Sequence, residues 1–249
     1  MRVSLFVTCI VDQMFPEVGV ATVTLLRRLG VEVTFNAGQT CCGQPAFNTG
    51  YREEARAVAR PMLDLFEHEL ESADYIVAPS GSCSTMIKKF YRELFEEDAE
   101  QLGRIERIGA RFFELSDFLV TVLAVEDVGA TFPGKVTYHD SCHLLRELGV
   151  AKQPRALIGA VSGVELVEMN QTVTCCGFGG TFSVKYPEIS TAIGAEKIAS
   201  IEATGASAVV ACDSSCLMQI AGVLSRRGSH IRCLHIAELL ASENARTRE

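Results

Sequence analysis

Eight cysteines carry the chemistry written into this chain. Cys9, the run Cys41-Cys42-Gly43 and Cys83 recur as Cys142, Cys175-Cys176-Gly177 and Cys216, shifted by 133 or 134 residues. Eight of the ten cysteines therefore obey one internal repeat. Thiolates drawn from three distant points of a half-chain are what a metal ion or an iron–sulfur cluster requires. Two such gatherings predict two centres. A buried cysteine is ordinarily a small core hydrophobe, but core packing does not demand the same residue type at matching offsets. A bridge between neighbours is disfavoured as well. Adjacent Cα atoms lie about 3.8 Å apart across a trans peptide, below the roughly 4.4–6.8 Å that a disulfide spans.

Zinc is the inorganic alternative, and it is commonly held by pairs spaced Cys-x2–4-Cys. The spacing here is single, double, single. Two neighbouring side chains point in different directions and suit different irons of an extended cluster better than one zinc ion, so iron–sulfur is favoured. Gly43 and Gly177 let the backbone turn tightly against either kind of centre. Cys212, whose repeat partner is Pro79, is a further candidate ligand; otherwise it is a packed thiol at a strand end. Cys233 lies outside the repeat on an apolar stretch and reads as core. His139 and His143 flank Cys142 and are candidates to hydrogen-bond a cluster sulfur or relay a proton. The bland alternative is that one caps a strand and the other packs on a helix. Lys185 and Arg146 follow cysteine loops and suit either an anionic ligand or solvent.

The elements that must position these residues alternate. In the first half, strands are expected at 3–9, 31–36 and 75–79, with helices at 18–29 and 52–70 and another beginning near Cys83. The second half copies that order: strands at 135–139, 164–169 and 208–211, a helix after Cys142 and one at 189–203. Turn and breaker residues at 127–134 mark the junction. The first repeat is taken as 1–128 and the second as 134–249. Alternation of this kind predicts an α/β protein of two pseudo-symmetric repeats, each a parallel sheet with right-handed crossovers. The cysteine loops follow strand ends, so they fall on the carboxyl edge where open α/β sheets bind ligands. Helix N-termini starting there add partial positive charge, which favours thiolates.

The bulk composition is that of a globular domain: 249 residues, 48% hydrophobic and 22% charged. A net charge of −8 argues against nucleic acid, whose phosphates need clustered Lys and Arg. No apolar run approaches the roughly 20 residues that span a bilayer. The N-terminal segment alternates like a strand and lacks a signal-peptide cleavage site, so a cytoplasmic location is expected. In that reducing compartment, ten cysteines point to metal or redox chemistry over disulfides.

The repeated Cys-Cys-Gly runs, with Tyr138-His139-Asp140-Ser141-Cys142-His143 and Gly177-Phe178-Gly179-Gly180, resemble the CCG-domain family of iron–sulfur proteins. The resemblance covers both halves. It implies two clusters, expected to be of the [4Fe–4S] type, and an electron-transfer subunit of a complex that oxidises L-lactate to pyruvate. It also implies partner subunits that include a ferredoxin-type iron–sulfur protein, because no Cys-x2-Cys-x2-Cys-x3-Cys run is present in this chain. An alternative within the family is a heterodisulfide reductase subunit that cleaves a disulfide at the cluster. A zinc-bound scaffold without redox function is the alternative from outside it. The family pattern ends in Cys-x2-Cys, whereas here Cys83 stands alone and Cys212 precedes Cys216 by one residue too many. Four thiols per half are therefore the expected ligand count.

Overall fold

The computed structural model describes residues 1–242; the expected end of the second repeat lies outside the described residues. The first half runs β1 (Arg2–Leu5), α1 (Cys9–Met14), α2 (Pro16–Arg28), β2 (Glu32–Thr34), α3 (Gln44–Asn48), α4 (Arg52–Glu69), β3 (Tyr75–Ala78) and α5 (Gly81–Thr85). It continues through a π-helical turn (Met86–Phe90), α6 (Tyr91–Leu94), α7 (Ala99–Ala110), β4 (Phe112–Glu114), α8 (Leu115–Asp117) and a second π-helical turn (Phe118–Val122). The second half comprises β5 (Thr131–Tyr138), α9 (Cys142–Leu148), α10 (Lys152–Gly159), β6 (Ser162–Leu166), α11 (Phe182–Lys185), α12 (Pro187–Glu202), β7 (Ala208–Ala211), α13 (Ser214–Arg226), β8 (Arg232–His235) and α14 (Ile236–Ala241).

Each half builds one four-stranded parallel sheet, in the orders β2-β1-β3-β4 and β6-β5-β7-β8. The two orders are the same, so the repeat seen in the cysteines is a repeat of topology. The inner strands β3 and β7 are continuous apolar runs because helices cover both faces. All four residues of β7, Ala-Val-Val-Ala, are buried. Local signals start the helices: Pro16 and Pro187 stand at the first turns of α2 and α12, and Asp98 caps α7 by accepting from the Gln101 N–H.

The structure departs from the sequence reading in several places: β1 stops at Leu5 and Cys9 opens a helix instead of ending a strand, and α7, α10 and α14 are additional helices. Each sheet has a fourth strand, β4 or β8, of three or four residues that passes directly into a helix with no turn residue to mark its end. Residues 131–134, read as part of the junction, already belong to β5. Thr131 pairs with Ser162 and Gly134 with Val164, with a register shift between them.

The halves pack through one continuous core. Val3, Leu25 and Leu26 of the first half and Val136, Leu239 and Leu240 of the second are all fully buried in it. Polar contacts also cross the junction, where the two carboxyl edges meet. The Gly81 N–H donates to the Cys212 carbonyl at 3.1 Å, and the Ser82 N–H donates to Asp213 Oδ2 at 2.7 Å. Thr49 and Thr181 share a hydroxyl contact of 2.7 Å.

Candidate metal centres

Every repeated cysteine sits just beyond the carboxyl end of a strand. Cys9 opens α1 after β1, Cys41 and Cys42 end the loop after β2, and Cys83 lies in the first turns of α5 after β3. Cys142, Cys175, Cys176 and Cys216 occupy the matching places after β5, β6 and β7. All eight line a single cavity of about 330 Å³ between the halves. Gly43 and Gly177, at φ +84° and +91°, let the chain turn tightly directly after each vicinal pair.

Within the first half, Cys42 Sγ lies 3.4 Å from Cys83 Sγ, and the thiol of Cys41 meets that of Cys9. The Gly43 N–H donates to Cys41 Sγ at 3.4 Å, and the Gly177 N–H to Cys175 Sγ at 3.3 Å. These contacts divide the protons. Hydrogen bonds from Cys42 and Cys9 lower the Cys41 thiol to about 3, and those from Cys142 and Cys176 lower Cys175 to about 2. Cys9, Cys42, Cys142 and Cys176 are raised, first by their thiol partners and then by burial. Cys216 is lowered to about 6, chiefly by Cys176 and further by His139. Four buried or half-buried thiols per half, converging with an anion already favoured among them, form a donor set suited to a soft metal centre.

The remaining sequence candidates divide. His143 lines the cavity, and its Nδ1 is 3.1 Å from Gln44 Nε2 across the junction. His139 is fully buried beside Cys176 and Cys216; the three present ligand atoms within 4.8 Å of one another. Cys212 faces away from the cavity. Its sulfur is 3.3 Å from the Tyr138 hydroxyl and 3.8 Å from Ser116 Oγ, and burial raises its pKa. Cys233 is half-buried on β8, paired in register with Val209. Arg146 donates to the Val173 carbonyl, and Lys185 lies over the Tyr51 ring, so neither enters the cavity.

Two lining residues escaped the sequence reading. Ser80 and Asp213 stand three residues before Cys83 and Cys216, where the Cys-x2-Cys pattern would place a thiol. Both cap helices instead: Ser80 accepts from the Cys83 N–H, and Asp213 from the Ser215 N–H. A Ser or Asp directly before a helix is a capping signal that could have found them.

Comparison with known proteins agrees with this arrangement. The family model of the cysteine-rich domain, CCG, matches residues 3–88 and again 136–221. A lactate utilization protein A from Exiguobacterium sp. is 50% identical over 96% of this chain and 96% of its own length. The lactate utilization protein A of Bacillus subtilis is 47% identical over 97% of this chain and all of its own length, and that of Geobacillus kaustophilus 49% identical over 98% and 100%. Two family matches in register with the two sheets, and near full-length relatives, make this chain a member of the cysteine-rich CCG-domain family.

Proposed function

We propose that the protein is an iron–sulfur electron-transfer subunit of an L-lactate-oxidising system. Each repeat, 1–128 and 134–249, holds one cluster of the [4Fe–4S] type. Cys9, Cys41, Cys42 and Cys83 ligate the first, and Cys142, Cys175, Cys176 and Cys216 the second. The observation that carries this reading is the convergence of all eight repeated thiols on one cavity. Lactate comes from the names of the relatives. When bound, the clusters supply one-electron redox chemistry. The chain's own residues supply thiolate ligands, Gly43 and Gly177 N–H groups aimed at sulfur, and a shell that limits water. Substrate oxidation belongs to partner subunits, a ferredoxin-type iron–sulfur protein among them, in the cytoplasm. Among the described residues no helix is long and apolar enough to cross a membrane.

A second reading, one zinc ion per half, is favoured by the 3.4 Å approach of Cys42 and Cys83. That spacing is near the edge of a thiolate tetrahedron around zinc, roughly 3.8 Å for Zn–S bonds of about 2.3 Å. Lactate-dependent dye reduction tests the proposal. The purified chain alone should show none, and activity should appear when it is combined with its co-expressed partners. Robust reduction by the chain alone would reveal a substrate site that this reading lacks, and activity of the partners undiminished by deleting this chain would remove it from the electron path.

A further inference from the structure

The two candidate centres differ at a buried position directly behind the thiols. His139 follows β5 and donates its backbone N–H to the Val210 carbonyl at 2.9 Å. Phe6 follows β1 and donates its own to the Val77 carbonyl, also at 2.9 Å. Both partners and both donors are 133 residues apart, so the positions are equivalent in the fold. Phe6 packs edge-on against Phe66 at 5.2 Å and so offers no polar atom to the first set of thiols, while the Tyr91 hydroxyl buried in that half donates to the Cys42 carbonyl at 2.9 Å. His139 is 0% exposed, and neither ring nitrogen has a hydrogen-bond partner among the described residues. Leaving a polar group unpaired in the interior costs about 1–3 kcal/mol. Folding does not require that cost, since the same backbone in the first half accepts a phenyl ring. The imidazole is therefore kept for what it faces, and what it faces is sulfur: its ligand atom and those of Cys176 and Cys216 lie within 4.8 Å of one another.

We propose that His139 donates an imidazole N–H to the sulfur ligands of the second centre, a contact with no counterpart in the first. The inference rests on the cluster reading above and deepens it by making His139 a positioning and tuning residue. Hydrogen bonds to cluster sulfurs stabilise the more negative, reduced state and raise the reduction potential. Other charges near the second site do not substitute for this contact. The Lys197 ammonium is turned to the Gln171 and Thr172 carbonyls, at 2.9 and 3.1 Å. The Asp213 carboxylate is taken up by the Ser82 and Ser215 N–H groups and the Ser215 hydroxyl. Asp140 is paired with Arg155.

Redox titration of the anaerobic full-length protein followed by electron paramagnetic resonance tests the proposal, with the second signal assigned in a Cys42→Ser background. His139→Phe, which copies the first half, should make reduction of the second centre about tenfold less favourable, a shift of about −59 mV for a one-electron centre. The first midpoint should not move, and His139→Gln, which retains an N–H donor, should recover part of the shift. In the unsubstituted chain, nitrogen-15 histidine labelling should give a hyperfine coupling at the reduced second centre that His139→Gln abolishes. An unchanged midpoint in His139→Phe, an equal shift of both centres, or no histidine coupling in the unsubstituted chain would overturn the proposal while leaving the clusters in place. Absence of iron and sulfide from the unsubstituted protein would instead overturn the reading beneath it.

Discussion

A Cβ on Gly177 would lie 2.5 Å from the Ser190 carbonyl oxygen, whereas one on Gly43 would meet nothing closer than 3.4 Å. The two glycines follow equivalent cysteine pairs and share a left-handed backbone, yet only Gly177 is also wedged against α12. Left-handed φ costs an L-residue roughly 1–2 kcal/mol, and overpacking adds about 1–3 kcal/mol. Gly177→Ala should therefore destabilise the protein by about 2–5 kcal/mol, and Gly43→Ala by only about 1–2 kcal/mol. Urea unfolding of the two variants measures the difference; equal losses would show that the close approach to Ser190 is not rigid. At this scale the thiols and their glycines were legible in the sequence, because a repeated residue type at fixed offset is a chemical pattern. The contact with Ser190 was not, since it depends on how α12 returns to its loop. The role of Asp213 was missed for a related reason: its carboxylate serves the opposite half as well as its own helix.

Each sheet's last strand ends on a buried, titratable helix cap, and the two respond to pH in opposite directions. Glu114 closes β4 and accepts from the Ser116 and Asp117 N–H groups; burial raises its carboxyl to about 8. His235 closes β8, accepts from the Ala237 N–H on Nδ1, and is lowered to about 4 by burial. Glu114, whose carboxyl ordinarily titrates near 4.5, contributes stability that is full below that pH and lost as pH rises through about 8. His235, from 6.5, contributes stability that is full above that pH and lost as pH falls through about 4. Across its window the effect is about 5 kcal/mol for Glu114 and about 3 kcal/mol for His235. Glu114→Gln should flatten the decline in stability on the alkaline side, and His235→Gln that on the acid side. Urea midpoints of variants and parent between pH 4 and 8.5 give the slopes, and parallel profiles would refute the assignment. These fourth strands were invisible in the sequence. β4 and β8 pass directly into helices without a bounding turn signal, and their place is fixed by pairing with β3 and β7. Two of the longer helices were legible, with 52–70 and 189–203 falling on α4 and α12 to within two residues at each end: α4 carries an apolar stripe, and a proline opens α12.

The whole molecule is two copies of one topology locked edge to edge, and the lock is tightest at Gly81. A Cβ there would lie 2.7 Å from Leu144 Cβ on α9 of the other half. Gly81→Ala should destabilise by about 1–3 kcal/mol, and Leu144→Ala by about 2–5 kcal/mol through lost burial. Alanine keeps the Cβ that clashes, so the test is Leu144→Gly: combined with Gly81→Ala it should be less destabilised than the sum of the two single variants, because the clashing atom is gone. Strict additivity in urea unfolding would mean that the halves do not touch there in solution. The twofold plan was legible from the cysteine offsets alone. The meeting of both carboxyl edges around one cavity was not, since nothing in either repeat encodes how it docks on the other. That meeting underlies the central claim that eight thiols serve two iron–sulfur centres, one per half. Iron, acid-labile sulfide and zinc content of the anaerobically purified protein from iron-replete cells, beside Cys42→Ser and Cys176→Ser, tests it most directly. The account predicts matched iron and sulfide with little zinc, and loss of about half of both in either variant; stoichiometric zinc with no labile sulfide would contradict it.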